Sequence, residues 1–420
     1  MKLFSAVLCI AALPAQIPDA PNDKVAEIPV NYTEANSGAY TLPDPLTLAN
    51  GKPVKDAKTW QQKRRPEIVK LFEELQFGRT PPAPKSIRFE ITDPGTKSLN
   101  NKAIRKQITI FFGPNKTGPK VDVLLYTPAN SNKPVPVLLN ASFSANSNAV
   151  DDPGIKPGEV WNREKQRVPA SQGRAFGRVK VEPFLDAGFG FATVYYGDFD
   201  PDFNGGLPLG LRSLFTAPKP DEWGTVSAWA WGLSRVLDYL ETDNNVDAKQ
   251  VALTGVSRLG KTVLWTGAHD ARFAMIIASC SGEGGAALSR RNYGETIAHL
   301  TAPTRYPYQF AENYSQYAKN PNDSPIDAHM LIALIAPRPL LLQTGVTDKW
   351  SDPKGEYLAA LAAAPVYKRF GQSTPLNPEV PPVGQSVMTT LGYQMHQRGH
   401  GMIPADWDVF LQYMRTHFKS

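Results

Sequence analysis

The fold of this chain is decided by the stretch Gly255-Val256-Ser257-Arg258-Leu259-Gly260-Lys261-Thr262. It follows the short apolar run 251–254 and precedes an amphipathic segment, so it predicts a glycine turn between a strand and a helix that begins near Leu259. Two kinds of chemistry fit this turn. As Gly-x-x-x-x-Gly-Lys-Thr it matches a phosphate-binding loop, and as Gly-x-Ser followed closely by glycine it matches a nucleophile elbow. Leu259 occupies the elbow's usual second glycine position, and Gly260 comes one residue later.

The surroundings of this turn favour the elbow over the phosphate loop. Several predicted strands precede the turn, whereas a nucleotide-binding loop normally lies near the start of its domain. No run of four apolar residues that ends directly in Asp follows it to hold Mg²⁺. We therefore interpret Ser257 as a nucleophile, and a turn without chemistry stays the third alternative. An elbow serine needs an orienting acid and then a histidine base later in the chain.

His400 is the candidate base, because Arg398-Gly399-His400-Gly401 predicts a loop between the last strand and the terminal helix. His396 lies four residues earlier, but no third ligand accompanies the pair, which argues against a zinc site. Asp348 follows the apolar run 339–343, where a carboxylate can accept a hydrogen bond from the imidazole. Its alternative interpretation is a turn-forming aspartate, and Asp352 and Glu283 are the rival carboxylates.

The pattern along the chain alternates apolar strands with amphipathic helices. We predict strands at 106–112, 121–127, 135–140, 189–196, 251–254, 274–279 and 339–343, and helices at 66–76, 225–241, near 259 and from 404 onward. The polar stretch 141–180 is predicted to be an insertion, and the Asp-rich stretch 198–205 a loop near the cleft rather than a calcium loop. This alternation predicts a mostly parallel sheet covered by helices on both faces.

The composition and the first residues of the chain limit which classes of protein are possible. The 420 residues are 42% hydrophobic and 20% charged, which is typical of a globular protein with a sizeable core. The net charge of +6 comes without a basic run interleaved with aromatics, so nothing indicates a nucleic-acid partner. Residues 1–15 predict a signal peptide with cleavage near Ala15, and hence export to the periplasm or beyond. No later stretch approaches the roughly 20 apolar residues of a membrane span, and Cys280 alone then remains, so no intramolecular disulfide is expected.

Five motifs in order resemble the glucuronoyl esterases, carbohydrate esterase family 15, and most closely its bacterial branch. They are the turn at 255–261, the stretch 281–291 leading to Gly294-Glu295, the stretches 327–331 and 334–338, Asp348-Lys349-Trp350, and Gly399-His400. The resemblance implies a single α/β-hydrolase catalytic domain over 16–420, with an N-terminal extension and the insertion near 141–180. It implies hydrolysis of the ester joining (4-O-methyl)glucuronate on xylan to lignin alcohols. We also expect a monomer, and a mechanism that needs no metal or organic cofactor.

The resemblance also implies roles for individual residues. Ser257 is the nucleophile and His400 the base, while Arg258 stabilises the oxyanion through its backbone N–H and its guanidinium. The residues implied to hold the sugar hydroxyls are Lys261, Glu295 and Trp350. Many family members place the catalytic acid just before Ser281, where this chain has Cys280, so the acid role goes to Asp348 at the alternative family position. A general carboxylesterase or acetyl-xylan esterase of the same fold is the competing function, and an inactive carbohydrate-binding relative is disfavoured because all three catalytic residues are present.

Overall fold

The computed structural model describes residues 17–418 apart from 85–86, 114–115, 174–175, 216–218, 220, 373 and 375–376. The predicted signal peptide and its cleavage near Ala15 lie outside the described residues. In the part of the chain that is described, no helix has both the length and the apolar character needed to cross a membrane.

A nine-stranded sheet forms the centre of the molecule. The strands among the described residues are β1 Asp23–Val25, β2 Ile28–Val30, β3 Arg88–Ser98, β4 Ala103–Phe111, β5 Lys120–Pro128, β6 Val135–Ser142, β7 Glu159–Trp161, β8 Arg167–Pro169, β9 Gly190–Tyr195, β10 Val246–Val256, β11 Met275–Ser279, β12 Leu340–Gly345 and β13 Leu391–His396. The order in the large sheet is β13-β12-β11-β10-β6-β9-β5-β4-β3. Neighbours from β13 to β9 are parallel, and β5, β4 and β3 add an antiparallel edge. The predicted mostly parallel sheet is confirmed.

Helices cover both faces of this sheet. They are α1 Ala57–Thr59, α2 Arg65–Phe72, α3 Asn146–Ala149, α4 Glu182–Asp186, α5 Thr225–Leu240, α6 Arg258–His269, α7 Ile297–Thr301, α8 Ala328–Ala333, α9 Pro353–Lys368 and α10 Pro404–His417. Alternate residues of a strand point to opposite faces. On β11, Ile276 packs in the core that includes α5, α6, α8 and α9, whereas Ile277 packs in the core that includes α4 and α10. The all-apolar strands are explained by this burial on both sides.

Some elements differ from the sequence-based prediction. Helical turns run from Ala57 to Phe77, starting well before the predicted residue 66, because the first turns are polar and bury only Trp60 and Arg64. The edge strand β3 is missing from the prediction, since it is largely exposed and has no apolar alternation. The polar stretch 141–180 also holds regular structure, namely α3 and the antiparallel hairpin of β7 and β8.

The parallel strands bring the chemistry-bearing loops to one edge of the sheet. In an open α/β sheet, functional sites lie outside the carboxyl ends of the strands. β10 ends just before Ser257, β11 just before Cys280, β12 three residues before Asp348, and β13 four residues before His400. These four strands are consecutive neighbours in the sheet, so the loops after them meet.

Candidate active site

Ser257 occupies a sharp turn between a strand and a helix. β10 ends at Val256 and α6 begins at Arg258, and between them Ser257 has φ 61° and ψ −128°. Residues other than glycine disfavour such a positive φ, so hydrogen bonds and packing around Ser257 must hold the turn in this conformation. The Ser257 N–H donates to the carbonyl of Ser279 at 2.8 Å, and its own carbonyl accepts from the Lys261 N–H at 3.1 Å. This is the geometry of a nucleophile elbow.

Gly260 explains why the glycine spacing of this elbow is unusual. A Cβ at Gly260 would come within 2.7 Å of the carbonyl oxygen of Ser279, so a glycine one residue later than the usual position lets α6 pass close to the end of β11. Residues 258–261 form the first turn of α6. The chain therefore does not form the open loop that wraps a phosphate, and the Lys261 ammonium instead donates to the carbonyl of Ser281 at 2.7 Å.

Asp348 and His400 are joined by a direct hydrogen bond. The Nδ1 atom of His400 lies 2.8 Å from Oδ2 of Asp348 and 3.1 Å from Oγ of Ser351. Burial by itself would raise the pKa of the Asp348 carboxyl, but the hydrogen bonds from His400 and Ser351 outweigh burial and lower the pKa. Asp348 therefore stays ionised at neutral pH, and it orients the ring so that Nε2 is left for chemistry.

The loop that carries His400 is fixed against the end of β12. A Cβ at Gly345 would come within 2.3 Å of the carbonyl oxygen of Gly399, so glycine lets the loop pass directly over the strand end. His396 also holds this loop in place. Its Nδ1 lies 3.0 Å from the Asp406 carboxylate, and its Nε2 lies 3.0 Å from the Gly399 carbonyl oxygen. Burial lowers the pKa of His396, but the Asp406 bond outweighs it and raises the pKa. Both ring nitrogens are engaged, so His396 is not free to share a metal with His400.

Ser257 and His400 belong to the same sheet edge but are not hydrogen-bonded to each other. Among the described residues, none forms a hydrogen bond with the Ser257 hydroxyl, and the His400 side chain is 44% exposed. Nucleophile–base contacts are often loose without substrate. Cys280 lies between Ser257 and His400. It directly follows Ser279, whose carbonyl accepts from the Ser257 N–H. Its Sγ lies within 4.8 Å of a carboxylate oxygen of Asp348 and a ring nitrogen of His400.

The two rival carboxylates are occupied elsewhere. Glu283 is fully buried and accepts hydrogen bonds from the hydroxyls of Ser289 at 2.6 Å and Tyr314 at 2.7 Å, and burial raises its pKa to about 7. Asp352 caps α9 and accepts from Arg291 at 2.8 Å. Neither contacts His400, which favours Asp348 as its partner.

Arg258 is held in place by two contacts that could not be predicted from the sequence, one with Asp202 and one with Tyr306. Its guanidinium forms an ion pair with Asp202 and stacks over the ring of Tyr306, 4.6 Å from the ring centre. Asp202 also accepts from the Tyr308 hydroxyl at 3.0 Å and from Gln309 at 2.7 Å. Burial lowers the pKa of Arg258, but Asp202 outweighs it and raises the pKa, so the charge is permanent. The interpretation of 198–205 as a loop near the cleft is consistent with this contact.

The three residues implied to bind sugar lie together. The Lys261 ammonium is 3.6 Å from Glu295, and both side chains are only 6% exposed. The Glu295 N–H donates to the carbonyl of Trp350 at 2.8 Å. Arg305, which the sequence did not single out, donates to Glu295 at 3.0 Å and stacks over the Trp350 ring. The buried Nε of Arg305 has no hydrogen-bond partner among the described residues.

Comparisons with known proteins show which esterases this chain resembles. The family model described as "Glucuronyl esterase, fungi" matches residues 214–371. Carbohydrate esterase MZ0003, from an unknown prokaryotic organism, is 42% identical over 93% of this chain and 92% of its own. The solved glucuronoyl esterase from Solibacter usitatus is 42% identical, covers 92% of this chain and 100% of its own, and superposes with a TM-score of 0.86. A promiscuous family 15 carbohydrate esterase from a marine bacterial metagenome has the same identity and TM-score, over 93% of this chain and 100% of its own.

The chain belongs to carbohydrate esterase family 15. It is a glucuronoyl esterase with the α/β-hydrolase fold. Within this family assignment, Cys280 is a buried thiol whose Sγ lies 3.5 Å from the carbonyl of Gly401. Burial, and then the charges of Asp348 and Glu356, raise its pKa well above the ordinary value, so it stays a neutral thiol.

Glu356 is a buried carboxyl of this esterase that sequence patterning does not reveal. Its Oε1 accepts from the Gly282 N–H at 2.6 Å and from the Ser281 hydroxyl at 3.2 Å, while its buried Oε2 has no hydrogen-bond partner among the described residues. Burial raises its pKa to about 8. A protonated Glu356 thus fixes the Ser281–Gly282 turn, whose carbonyl at Ser281 also anchors Lys261.

The Glu356→Gln variant is expected to flatten the pH dependence of stability. The folded-state pKa of about 8 lies above the ordinary 4.5, so the folded form binds the proton more tightly, and this stabilisation is lost as pH rises through 8. The melting temperature of the wild type is therefore expected to fall relative to that of Glu356→Gln between pH 5 and 9. Thermal unfolding of both proteins across this range measures the difference, and parallel curves would contradict the prediction.

Proposed function

We propose that this esterase hydrolyses the ester between (4-O-methyl)glucuronic acid of glucuronoxylan and lignin alcohols. The observation that carries the proposal is the Asp348–His400 hydrogen bond, which lies at the same sheet edge as the strained Ser257 turn. Beside these residues, the buried Lys261–Glu295 pair and Trp350 offer charged and aromatic groups suited to a sugar. We also propose that the mature chain is exported after cleavage near Ala15 and acts as a monomeric catalytic domain.

In the proposed mechanism, Ser257 Oγ attacks the uronate carbonyl while His400 Nε2 takes the hydroxyl proton. Collapse of the tetrahedral intermediate breaks the bond to the alcohol, which leaves with the proton from His400. Water then attacks the acyl-enzyme, again with His400 as base, and regenerates Ser257 with release of the uronic acid. Asp348 remains ionised throughout and stabilises the imidazolium.

The proposed oxyanion site centres on Arg258. The backbone N–H of the first helical residue has no partner within its own helix, and in α/β-hydrolases the residue after the nucleophile donates this N–H to the oxyanion. The Arg258 guanidinium has five N–H groups and adds charge-assisted donors. Asp202 pairs with its Nη1 atom, so N–H groups on the other nitrogens can donate to the oxyanion. A fixed positive charge stabilises the developing anion more strongly than a neutral donor.

Lys261→Met is expected to slow the hydrolysis of a glucuronate ester without slowing the hydrolysis of a simple acetate ester. Methionine keeps the length of the side chain but removes the donor that is proposed to bind a sugar hydroxyl. We expect kcat/KM on benzyl glucuronate to fall about 10-fold to 100-fold, the effect of losing a charged hydrogen bond, with p-nitrophenyl acetate hydrolysis nearly unchanged. Steady-state kinetics on both esters measure this, with Lys368→Met at the exposed end of α9 as a matched control.

Two outcomes of that comparison would contradict the proposed substrate. Equal losses on both esters would mean that Lys261 supports the fold of the site and does not recognise sugar. A wild-type preference for acetylated xylan over every uronate ester would establish the acetyl-xylan esterase alternative.

A further inference from the structure

Three side chains at the carboxyl edge of the sheet bring metal-binding atoms together. The Sγ of Cys280, a carboxylate oxygen of Asp348 and a ring nitrogen of His400 all lie within 4.8 Å of one another. These residues follow β11, β12 and β13, which are consecutive neighbours in the sheet, so the fold itself places them side by side. The proposed ester mechanism uses the carboxylate and the imidazole but gives the thiol no role.

The types of donor in this group select the kind of ion. A cysteine sulfur, a histidine nitrogen and a carboxylate oxygen are the ligands that Zn²⁺ takes in proteins, whereas Ca²⁺ and Mg²⁺ take oxygen ligands. A thiolate and a carboxylate together carry two negative charges, which match the charge of the ion. Three protein ligands leave the fourth tetrahedral position to a water molecule. The group therefore has the composition of a zinc site.

Small side-chain movements bring the three ligand atoms to zinc-binding distances. Zinc bonds of about 2.0–2.3 Å place the ligand atoms of a tetrahedral site about 3.3–3.6 Å apart. The 2.8 Å between His400 and Asp348 must therefore widen, and the Cys280 Sγ must come closer. His400 has the freedom to move, because its side chain is 44% exposed and glycine stands on both sides of it. Cys280 and Asp348 are buried, so the ion enters past the His400 ring.

The Cys280 thiol gives up its proton when the ion binds. Its Sγ donates weakly to the carbonyl of Gly401, at 3.5 Å in the loop that carries His400. A metal ion deprotonates a thiol that coordinates it. The S–H bond breaks, the sulfur–zinc bond forms and the proton leaves to solvent, while the electron pair stays on sulfur. The cost is one weak hydrogen bond to Gly401.

We propose that Cys280, Asp348 and His400 bind Zn²⁺ and that the bound ion inhibits the esterase reversibly. A neutral imidazole carries one proton on its two nitrogens. Zinc on Nδ1 leaves that proton on Nε2, and zinc on Nε2 occupies the lone pair itself. In both cases His400 has no lone pair to take the proton of Ser257. The inhibition rests on the proposed function, whereas the binding of the ion does not.

Titration with Co²⁺ tests the binding without any ester. Co²⁺ is a spectroscopic substitute for Zn²⁺, and a thiolate bound to it absorbs in the near ultraviolet. We expect this absorption in the wild type and its loss when Zn²⁺ is added, because Zn²⁺ binds such ligands more tightly than Co²⁺. Cys280→Ser is expected to lack the absorption, since a serine hydroxyl keeps its proton. This result also assigns the absorption to Cys280 and not to Cys9, the other cysteine of the chain.

His400→Gln provides a second variant that keeps the thiol and changes an exposed residue. Loss of groups that only orient a metal ligand already costs about 10-fold to 100-fold in affinity, so loss of this ligand is expected to weaken Co²⁺ binding at least tenfold. A wild type without the absorption would overturn the site. An absorption that persists in Cys280→Ser, or equal Co²⁺ affinity in His400→Gln, would overturn it as well.

Zinc inhibition of p-nitrophenyl acetate hydrolysis tests the effect on the chemistry. Each protein is compared with its own rate in the presence of a chelator, and Cys280→Ser is expected to need at least about tenfold more Zn²⁺ for half inhibition. His269→Gln is the matched control, because His269 lies 2.8 Å from Glu73 in a second pair of imidazole and carboxylate. Its inhibition is expected to equal that of the wild type.

Equal inhibition of the wild type and Cys280→Ser, or no inhibition of the wild type, would overturn the proposed inhibition. A wild type that hydrolyses no ester would contradict the proposed function alone, because the Co²⁺ absorption decides the metal site independently of any turnover.

Discussion

Ser257→Ala is expected to lower kcat on benzyl glucuronate by about four to six orders of magnitude. The estimate follows from serine hydrolases, in which removing the nucleophile leaves only the contributions of substrate binding and the oxyanion site. The physical reason is that alanine has no oxygen to form the acyl-enzyme, while His400 and Asp348 keep their hydrogen bond. KM is expected to change little, since the groups proposed to bind the sugar are untouched.

Turnover of benzyl glucuronate and of p-nitrophenyl acetate measures this prediction. Ser234→Ala, on α5 and outside the site, is the matched control and is expected to keep wild-type kinetics. Loss of both activities in Ser257→Ala, with an unchanged melting temperature, would establish a single nucleophile for both esters. Uronate turnover within tenfold of wild type would show that a different group attacks the carbonyl.

Asp348→Asn is expected to reduce kcat by about four orders of magnitude. An amide can hold the His400 ring only in the wrong tautomer, and it carries no negative charge to stabilise the imidazolium. Asp348 lies 2.8 Å from His400, whereas Glu283 is bound to Ser289 and Tyr314. Glu283→Gln is therefore expected to have a much smaller effect on kcat.

The two variants form a matched pair, because each replaces a buried carboxyl by its isosteric amide. Stopped-flow or steady-state turnover gives kcat, and thermal unfolding checks that each variant is folded. A larger loss in Glu283→Gln than in Asp348→Asn would reverse the assignment of the acid. Asp352→Asn is expected to lower the melting temperature instead, because Asp352 is the buried partner of Arg291 and the cap of α9.

Local patterns predicted several of the elements that carry the site, but not strand β13 or helix α9. The glycine turn at 255–260 lies between a strand and a helix because its flanking periodicity changes from strand to helix there. Asp348 was predicted from its position just after the apolar run 339–343, since parallel strands bring such loops to one edge. His400 was predicted from its glycine-flanked loop before the terminal helix, although strand β13, which precedes it, was not among the predicted strands. The edge strand β3 and the hairpin of β7 and β8 were missed, because exposed strands lack the apolar alternation that marks buried ones.

The partners of these residues could not be predicted in the same way. Asp202, Arg305 and Glu356 contact residues of the site that are 56, 10 and 74 positions away in the chain. Asp202 lies in the Asp-rich stretch 198–205, but nothing in that stretch indicates its pairing with Arg258, and no periodicity or motif marks Arg305 or Glu356. Glu356 in particular lies in an ordinary helix, and only burial makes its carboxyl hold a proton.

Short-range patterns in the sequence predict the layered α/β architecture and a tight turn at Ser257 between a strand and a helix. The carboxylate that contacts His400 and the groups that hold Arg258 are known only from the packing of the folded chain. The physical reason is that hydrogen bonds and pKa values depend on distances of a few ångströms and on burial. Those quantities arise only when loops far apart in sequence pack together at one edge of the sheet.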